Sequence, residues 1–172
     1  MPLNSRSIHP DLLEARKLAY EPCAFTFNNL SWEAESLEYG ACAFDLNDRH
    51  VMFRSAKKTP KKVGQFVTLW KRPVIGGPIL PYDVDDPVDL FVISVRASEK
   101  FGQFVFPKKV LLEKGIISKE EKGGKRAMRV YPPWDITDSK QAQKTQSWQT
   151  LYFFEIGPNG HVDLTHVQKL FL

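Results

Sequence analysis

The sequence has few cysteines, few histidines and no long apolar run. Its 172 residues include two cysteines, Cys23 and Cys42, and four histidines. No CxxC, HxxxH or HExxH motif occurs, so a zinc site of familiar spacing is excluded. Two buried thiols are expected in place of a disulfide. The apolar runs are much shorter than the ~20 residues that a membrane span requires, so we expect no membrane partner.

The first residues, MPLNSRSIHPDLLEARK, lack the apolar centre of a secretion signal. We therefore expect a soluble protein of the cytoplasm. Apolar residues make up 42% of the chain, with twelve Phe, five Tyr and four Trp, which is too aromatic for a disordered protein. The length and composition predict a single domain that spans residues 1–172.

Apolar periodicity and turn residues predict alternating helices and strands. DLFVISV is nearly all apolar, so we expect an interior strand with Phe91 and Val92 buried. The pattern predicts an α/β fold in three layers, a mixed sheet flanked by helices. The predicted elements are a helix in HPDLLEARKLAY ended by Pro22, a second helix capped by Ser31 and ended by Gly40, strands ACAFDL and HVMFRSA around residues 47–49, strands GQFVTLW and DLFVISV, a helix in FPKKVLLEKGI with Pro107 in its first turn, a strand in RAMRVYPP, and a polar helix capped by Ser139 that leads into LYFFEI.

Charge is distributed unevenly along the chain, whose net charge is +4. FRSAKKTPKKVGQFVTLWKR holds seven bases and no acid, and KKVLLEKGIISKEEKGGKRAMR holds eight bases and three acids. Between them lies PYDVDDPVD, which lacks the central Gly and terminal Glu of an EF-hand and is expected to form a turn. The two basic regions indicate a polyanionic partner.

Four segments resemble the MepB family of small bacterial proteins: ESLEYGACAF, FRSAKKTPKKVGQFVTLWKR, GGPILPYDVDDPVDLFVISV and FGQFVFPKKVLLEKGIIS. The similarity covers roughly residues 31–155, and the run AKxTPxKxGQFVTxWKR is its most specific part. The resemblance implies a restriction-endonuclease-like fold, three layers around a mixed sheet, and an affinity for nucleic acid.

A nuclease of that fold needs two carboxylates to hold Mg²⁺ beside the scissile phosphate and a lysine to position the attacking water. Lys57 supplies the lysine. The second carboxylate is expected at position 55, where this sequence has Ser55. Glu35, Glu38 and Asp45 remain candidate ligands, with Glu38, Asp45 and Lys57 as the candidate catalytic set.

Binding without catalysis requires less of the sequence, because lysine, arginine, hydroxyl and amide groups all satisfy phosphates. Trp70 is a possible base-stacking residue, although core packing is the commoner role of a tryptophan in such a strand. The predicted nucleic-acid contacts are Arg54, Lys57, Lys58, Thr59, Lys61, Lys62, Gln65, Lys71 and Arg72.

The sequence therefore favours a nucleic-acid-binding protein, DNA in the first place, with an incomplete nuclease-type metal site. We expect no bound metal or other cofactor, and Mg²⁺ only if the chain is a nuclease. Two alternatives stay open: a Mg²⁺-dependent nuclease, and a regulatory module that binds another protein. In the last case the basic run would be a charged hairpin that resists edge aggregation.

Overall fold

The helices and strands follow the predicted alternation along most of the chain. The computed structural model describes residues 7–172. Residues 1–6, which belong to the predicted domain and to the stretch expected to lack a secretion signal, lie outside the described residues. The helices are α1 (Pro10–Ala15), continued by a π-helical turn at Arg16–Tyr20, α2 (Lys108–Glu113), α3 (Lys140–Gln149) and α4 (Leu164–Leu170), with 3₁₀ turns at Leu37–Tyr39 and Thr150–Tyr152.

The strands form three sheets. They are β1 (Phe27–Trp32), β2 (Cys42–Leu46), β3 (Arg49–Ser55), β4 (Lys57–Thr59), β5 (Lys62–Thr68), β6 (Trp70–Lys71), β7 (Leu80–Pro81), β8 (Leu90–Ala97), β9 (Lys100–Pro107), β10 (Ala127–Val130) and β11 (Phe153–Glu155). The main sheet has the order β1-β2-β3-β8-β9-β11, a smaller one the order β10-β5-β4, and β6 pairs with β7.

The main sheet is mixed, because β3 and β8 are parallel while the other neighbouring strands are antiparallel. β8 lies between β3 and β9, and Phe91 and Val92 are fully buried. The expectation of an interior strand is confirmed. Its apolar character follows from its position, since both faces of this strand are covered.

Each face of the main sheet has its own core. On one face α1, the π-helical turn and α4 contribute Leu12, Tyr20 and Val167 against sheet residues such as Phe53. On the other face, the smaller sheet and α2 and α3 cover Phe91 and its neighbours. The predicted three-layer α/β fold is confirmed, with a second sheet added to the helices on one side.

One predicted helix is wrong. Ser31 does not cap a helix: Phe27–Trp32 is a strand paired with β2. The half-buried Phe27, Leu30 and Trp32 pack against the first core, so pairing and burial prevail over the local cap signal. Helical structure is confined to Leu37–Tyr39 and ends at Gly40 as expected, where φ is +61°.

The other local signals agree with the structure. Strands β2 and β3 pair across the turn at Asn47, which has a φ of +54°. Ser139 caps α3 by accepting a hydrogen bond from the Ala142 amide at 3.1 Å. Pro107 is the last residue of β9 and directly precedes α2. Within residues 7–172, no helix is long and apolar enough to cross a membrane.

Candidate nucleic-acid interface

The predicted catalytic residues Asp45 and Lys57 lie at different ends of the β2–β3 hairpin. Asp45 pairs with His50 near the turn, whereas Lys57 follows β3 at its far end. At about 3.3 Å per residue, the stretch of β3 from His50, opposite Asp45, to Ser55 at its end spans on the order of 16 Å by itself. The structure therefore does not bring Asp45 to Lys57.

Asp45 takes part in a surface ion pair. Its carboxylate accepts a hydrogen bond from Asn29 Nδ2 at 2.8 Å and lies 2.6 Å from His50 Nδ1. The hydrogen bonds from Asn29 and then from His50 hold the pKa of Asp45 below its ordinary value. The same contact raises the pKa of His50. These partners stabilise the Asp45 charge.

The two glutamates have different surroundings. Glu35 accepts hydrogen bonds from Arg72 Nε at 2.9 and 3.2 Å. Glu38 is exposed next to Tyr39, whose ring lies 5.1 Å from the Lys57 ammonium. The contact with Lys57 is thus made by Tyr39, the chain neighbour of Glu38. In residues 7–172, no group of three or more His, Cys, Asp or Glu side chains is arranged to hold a metal ion.

Ser55, where a nuclease would have a carboxylate, contacts an acid that the sequence did not reveal. Its hydroxyl donates a hydrogen bond to Asp11 Oδ2 at 3.3 Å. Arg96 Nε donates to Asp11 Oδ1 at 2.9 Å, and the Arg96 guanidinium also pairs with Glu14. An arginine therefore supplies the positive charge that a metal ion would bring to these carboxylates. No local pattern connects residues 85 positions apart.

Two of the predicted nucleic-acid contacts are buried, which corrects their assignment. Arg54 has no exposed surface, and it donates to the Glu33 carboxylate at 2.8 and 2.6 Å. Gln65 is 2% exposed and donates to the Arg96 carbonyl oxygen at 3.1 Å. Arg54 points to the covered face of β3, next to the second core, and therefore cannot reach a phosphate at the surface.

Lys71 and Arg72 are already paired with acids. Lys71 Nζ lies 2.6 Å from an Asp86 carboxylate oxygen, in the turn formed by the acidic segment. Arg72 pairs with Glu35, and its guanidinium lies 5.5 Å from the centre of the half-buried Trp70 ring. Any anion that binds here competes with these carboxylates, so both bases are weaker phosphate contacts than their sequence suggests.

The remaining predicted contacts form one exposed hairpin. Lys57, Lys58, Lys61 and Lys62 are exposed on β4, β5 and the turn between them, with Thr59 half-buried. We call these four lysines the basic hairpin. The turn at residues 60–61 joins the two strands, so the hairpin presents four ammonium groups on one surface element.

Strand register extends the hairpin towards the second basic region. Lys57 pairs with Phe66 across β4 and β5, and Phe66 pairs with Arg129 across β5 and β10. Directly paired residues share a face of an antiparallel sheet. Lys57, Phe66 and Arg129 therefore form one row, which joins the two basic regions although they are separate in sequence.

A cleft of about 600 Å³ lies between the smaller sheet and α3, and we call it the basic cleft. Bases from both regions line it, together with three aromatic residues and one acid, Asp138, among the described residues. The bases are Lys61, Lys62, Lys114, Lys125 and Arg129, and the aromatic residues are Phe66, Tyr131 and Trp148.

Within the described part of the chain, no ion pair includes a base of the basic cleft. The Lys114 ammonium lies 5.5 Å from the centre of the Trp148 ring, and Arg129 donates to the carbonyl oxygens of Val63 and Gly64. Several positive charges in one concave site make the electrostatic potential there positive, and this potential attracts anions. The sequence marked the second basic region but did not assign its residues to a site.

The chain is similar to known proteins in both structure and sequence. The crystal structure of MepB is similar over 75% of this chain and 86% of that chain, with 38% identity and a TM-score of 0.71. A bacterial homing endonuclease, I-Ssp6803I, matches with 17% identity and a TM-score of 0.45 over 84% of this chain and 91% of that chain. The comparison with curated proteins gave no match. The model of the MepB-like family matches residues 33–155, and the chain belongs to that family.

Proposed function

We propose that this protein binds nucleic acid, and that the basic cleft and the basic hairpin make the phosphate contacts. The observation that carries the proposal is the joining of two distant basic regions in one concave surface. Phosphate contacts supply most of the affinity of nonspecific nucleic-acid binding, and lysine and arginine are the usual donors. Lys61, Lys62, Lys125 and Arg129 meet this requirement on adjoining strands and loops.

Binding without cleavage is the form of this function that the residues favour. A two-carboxylate metal site would need free acids beside Lys57, and Asp11, the acid that Ser55 contacts, is paired with Arg96. Asp45 lies at the opposite end of the hairpin. We therefore rank the Mg²⁺-dependent nuclease second.

A protein-binding module is the third candidate, and one exposed loop favours it. Val74 is 66% exposed and Ile75 is fully exposed, in the loop between β6 and β7. Adjacent apolar side chains that are exposed together favour a contact with another protein when they form a contiguous patch. This reading predicts no dependence of binding on the charges of the basic cleft.

A salt titration tests the proposal. Each phosphate contact contributes about 0.9 to the slope of log affinity against log salt for a duplex, and about 0.7 for a single strand. The double variant Lys61→Ala/Lys62→Ala is expected to weaken binding about equally on unrelated sequences and to flatten the slope by roughly 1.8 or 1.4 units, respectively. Fluorescence anisotropy with labelled DNA over a range of salt concentrations gives both quantities.

The matched control is Lys17→Ala/Lys169→Ala. It removes the same charge from exposed lysines of the helical layer, on the opposite side of the main sheet. The control is expected to retain the unmodified slope. If both double variants bind with the affinity and slope of the unmodified protein, the basic run is only a charged surface and the protein-binding reading becomes the better one.

A further inference from the structure

The basic cleft has an aromatic wall, which a site for phosphates alone does not need. Phe66 comes from β5, Tyr131 follows β10 and Trp148 lies in α3. Base stacking on aromatic side chains is the usual companion of a basic groove in proteins that bind single strands. The aromatic wall therefore indicates whether the nucleic acid that binds here is single-stranded or double-stranded.

Trp148 is held in place from behind. Its ring lies 5.5 Å from the ring of the buried Phe106 at an angle of 52°, so the second core, on the face covered by α2 and α3, supports the indole. The indole remains half-buried and lines the cleft, where the Lys114 ammonium lies 5.5 Å from the ring centre. A ring fixed in this way presents a stacking surface without loss of side-chain freedom on binding.

The backbone around Tyr131 is held in place by hydrogen bonds to the side chain of Gln149. Its amide donates to Gln149 Oε1 at 2.8 Å, and Gln149 Nε2 donates to the Arg129 carbonyl oxygen at 3.0 Å. The tyrosine ring lies against Gly64, where an added Cβ would be 2.7 Å from two ring carbons. Gln149 is fully buried. It therefore joins α3 to the end of β10 and sets the width of the cleft at this end.

The dimensions of the cleft favour unpaired nucleotides. Its volume of about 600 Å³ is that of a site for a small molecule. In a duplex the base faces are stacked on one another, and only a base outside the stack can lie against an aromatic ring. A duplex can contact the basic hairpin through its phosphates, but it cannot place a base against the ring of Trp148 or Tyr131.

We propose that the basic cleft is a site for an unpaired nucleotide of a nucleic-acid strand, with the base against Trp148 and Tyr131 and the adjoining phosphates on the lysines and Arg129. This inference rests on the proposed function and specifies its ligand. Gln141 and Thr145 of α3 line the same cleft and offer polar groups to the sugar or to a base edge. The nucleic-acid strand continues over the basic hairpin, whose lysines contact phosphates and do not contact bases.

The test compares an oligothymidylate of about fifteen nucleotides, within the usual site sizes of single-strand proteins, with a duplex of equal length. Trp148→Leu keeps an apolar side chain but removes the aromatic face. It is expected to weaken single-strand binding roughly 5- to 150-fold and to leave duplex binding unchanged. Trp148→Phe retains a ring and is expected to restore most of the single-strand affinity.

Trp32→Leu is the matched control, because Trp32 is also half-buried but packs against the first core on the other face of the main sheet and does not line the cleft. A second readout is independent of the leucine variant: the strand is expected to quench the tryptophan fluorescence of the unmodified protein, and much less that of Trp148→Phe. Free thymidine monophosphate separates a nucleotide from a strand, and it is expected to bind far more weakly than the oligothymidylate.

Three results would overturn the inference. They are unchanged single-strand affinity of Trp148→Leu, quenching that persists in Trp148→Phe, and a monophosphate that binds as tightly as the strand. If Lys61→Ala/Lys62→Ala still weakens binding in those cases, the proposed function stands and only the ligand is wrong. If neither strand nor duplex binds at low salt, the proposed function itself fails.

Discussion

Arg54 and Arg72 each pair with a glutamate through hydrogen bonds to both carboxylate oxygens, and the two pairs differ in burial, which allows a comparison of their stabilities. Arg54 donates to both oxygens of Glu33 at 2.8 and 2.6 Å, and Arg72 Nε lies 3.2 and 2.9 Å from the two oxygens of Glu35. The Arg54 side chain has no exposed surface, whereas the Arg72 and Glu35 side chains are 30% and 45% exposed. Alanine at either position removes one such pair.

The expected magnitudes differ several-fold. Breaking a buried pair costs ~3–5 kcal/mol, and an exposed pair contributes ~0–1 kcal/mol. Because the Glu33 side chain is 28% exposed and partly reaches water, we expect the lower end for Arg54→Ala, about 3 kcal/mol. Arg72→Ala is expected to lower the free energy of unfolding by less than about 1 kcal/mol.

Urea denaturation followed by circular dichroism measures both changes. With an m-value near 2 kcal/mol/M, about 3 kcal/mol corresponds to a midpoint lower by roughly 1.5 M. Below its transition, Arg54→Ala is expected to bind DNA with an unchanged salt slope. The reasoning is refuted if Arg54→Ala is as stable as Arg72→Ala and its salt slope falls by about one unit, since Arg54 would then contact phosphate.

Three further measurements test the site and the fold. Purified protein is expected to cleave DNA slowly or not at all with Mg²⁺ or Mn²⁺, and efficient cleavage that Lys57→Ala abolishes would reverse the ranking of binding over catalysis. The pKa of His50 is raised by its hydrogen bond to Asp45, so the pair stabilises the fold below the ordinary histidine pKa and loses this effect as the pH rises through the raised value; an NMR titration in which Asp45→Asn does not lower the His50 pKa would contradict this. Gly102→Ala is expected to cost roughly 1–3 kcal/mol in urea denaturation, because its Cβ would lie 2.3 Å from a ring carbon of β11. At Gly157 the nearest atom is 3.4 Å away, so Gly157→Ala should cost under about 0.5 kcal/mol, and equal costs would disprove the close contact.

Local signals determined most of the elements. Three of these signals are the apolar run at DLFVISV, the turn at Asn47 and the cap at Ser139, and each predicted the element that forms there. They are readable because apolar patterns, turn residues and helix caps are contiguous in the sequence. The helix expected after Ser31 was wrong, since pairing with β2 decided its state. The family followed from sequence alone, because its motifs are contiguous.

The candidate site depended on tertiary structure. Charge in the sequence does not reveal which face of a strand it occupies, so Arg54 and Lys57 appeared equivalent although one is buried and the other exposed. The pairing of Asp11 with Arg96 and the meeting of Lys62 with Lys125 at one cleft both join segments far apart in the chain. Side-chain direction and long-range contact are set by sheet register and by the packing of layers, and only the folded chain fixes those.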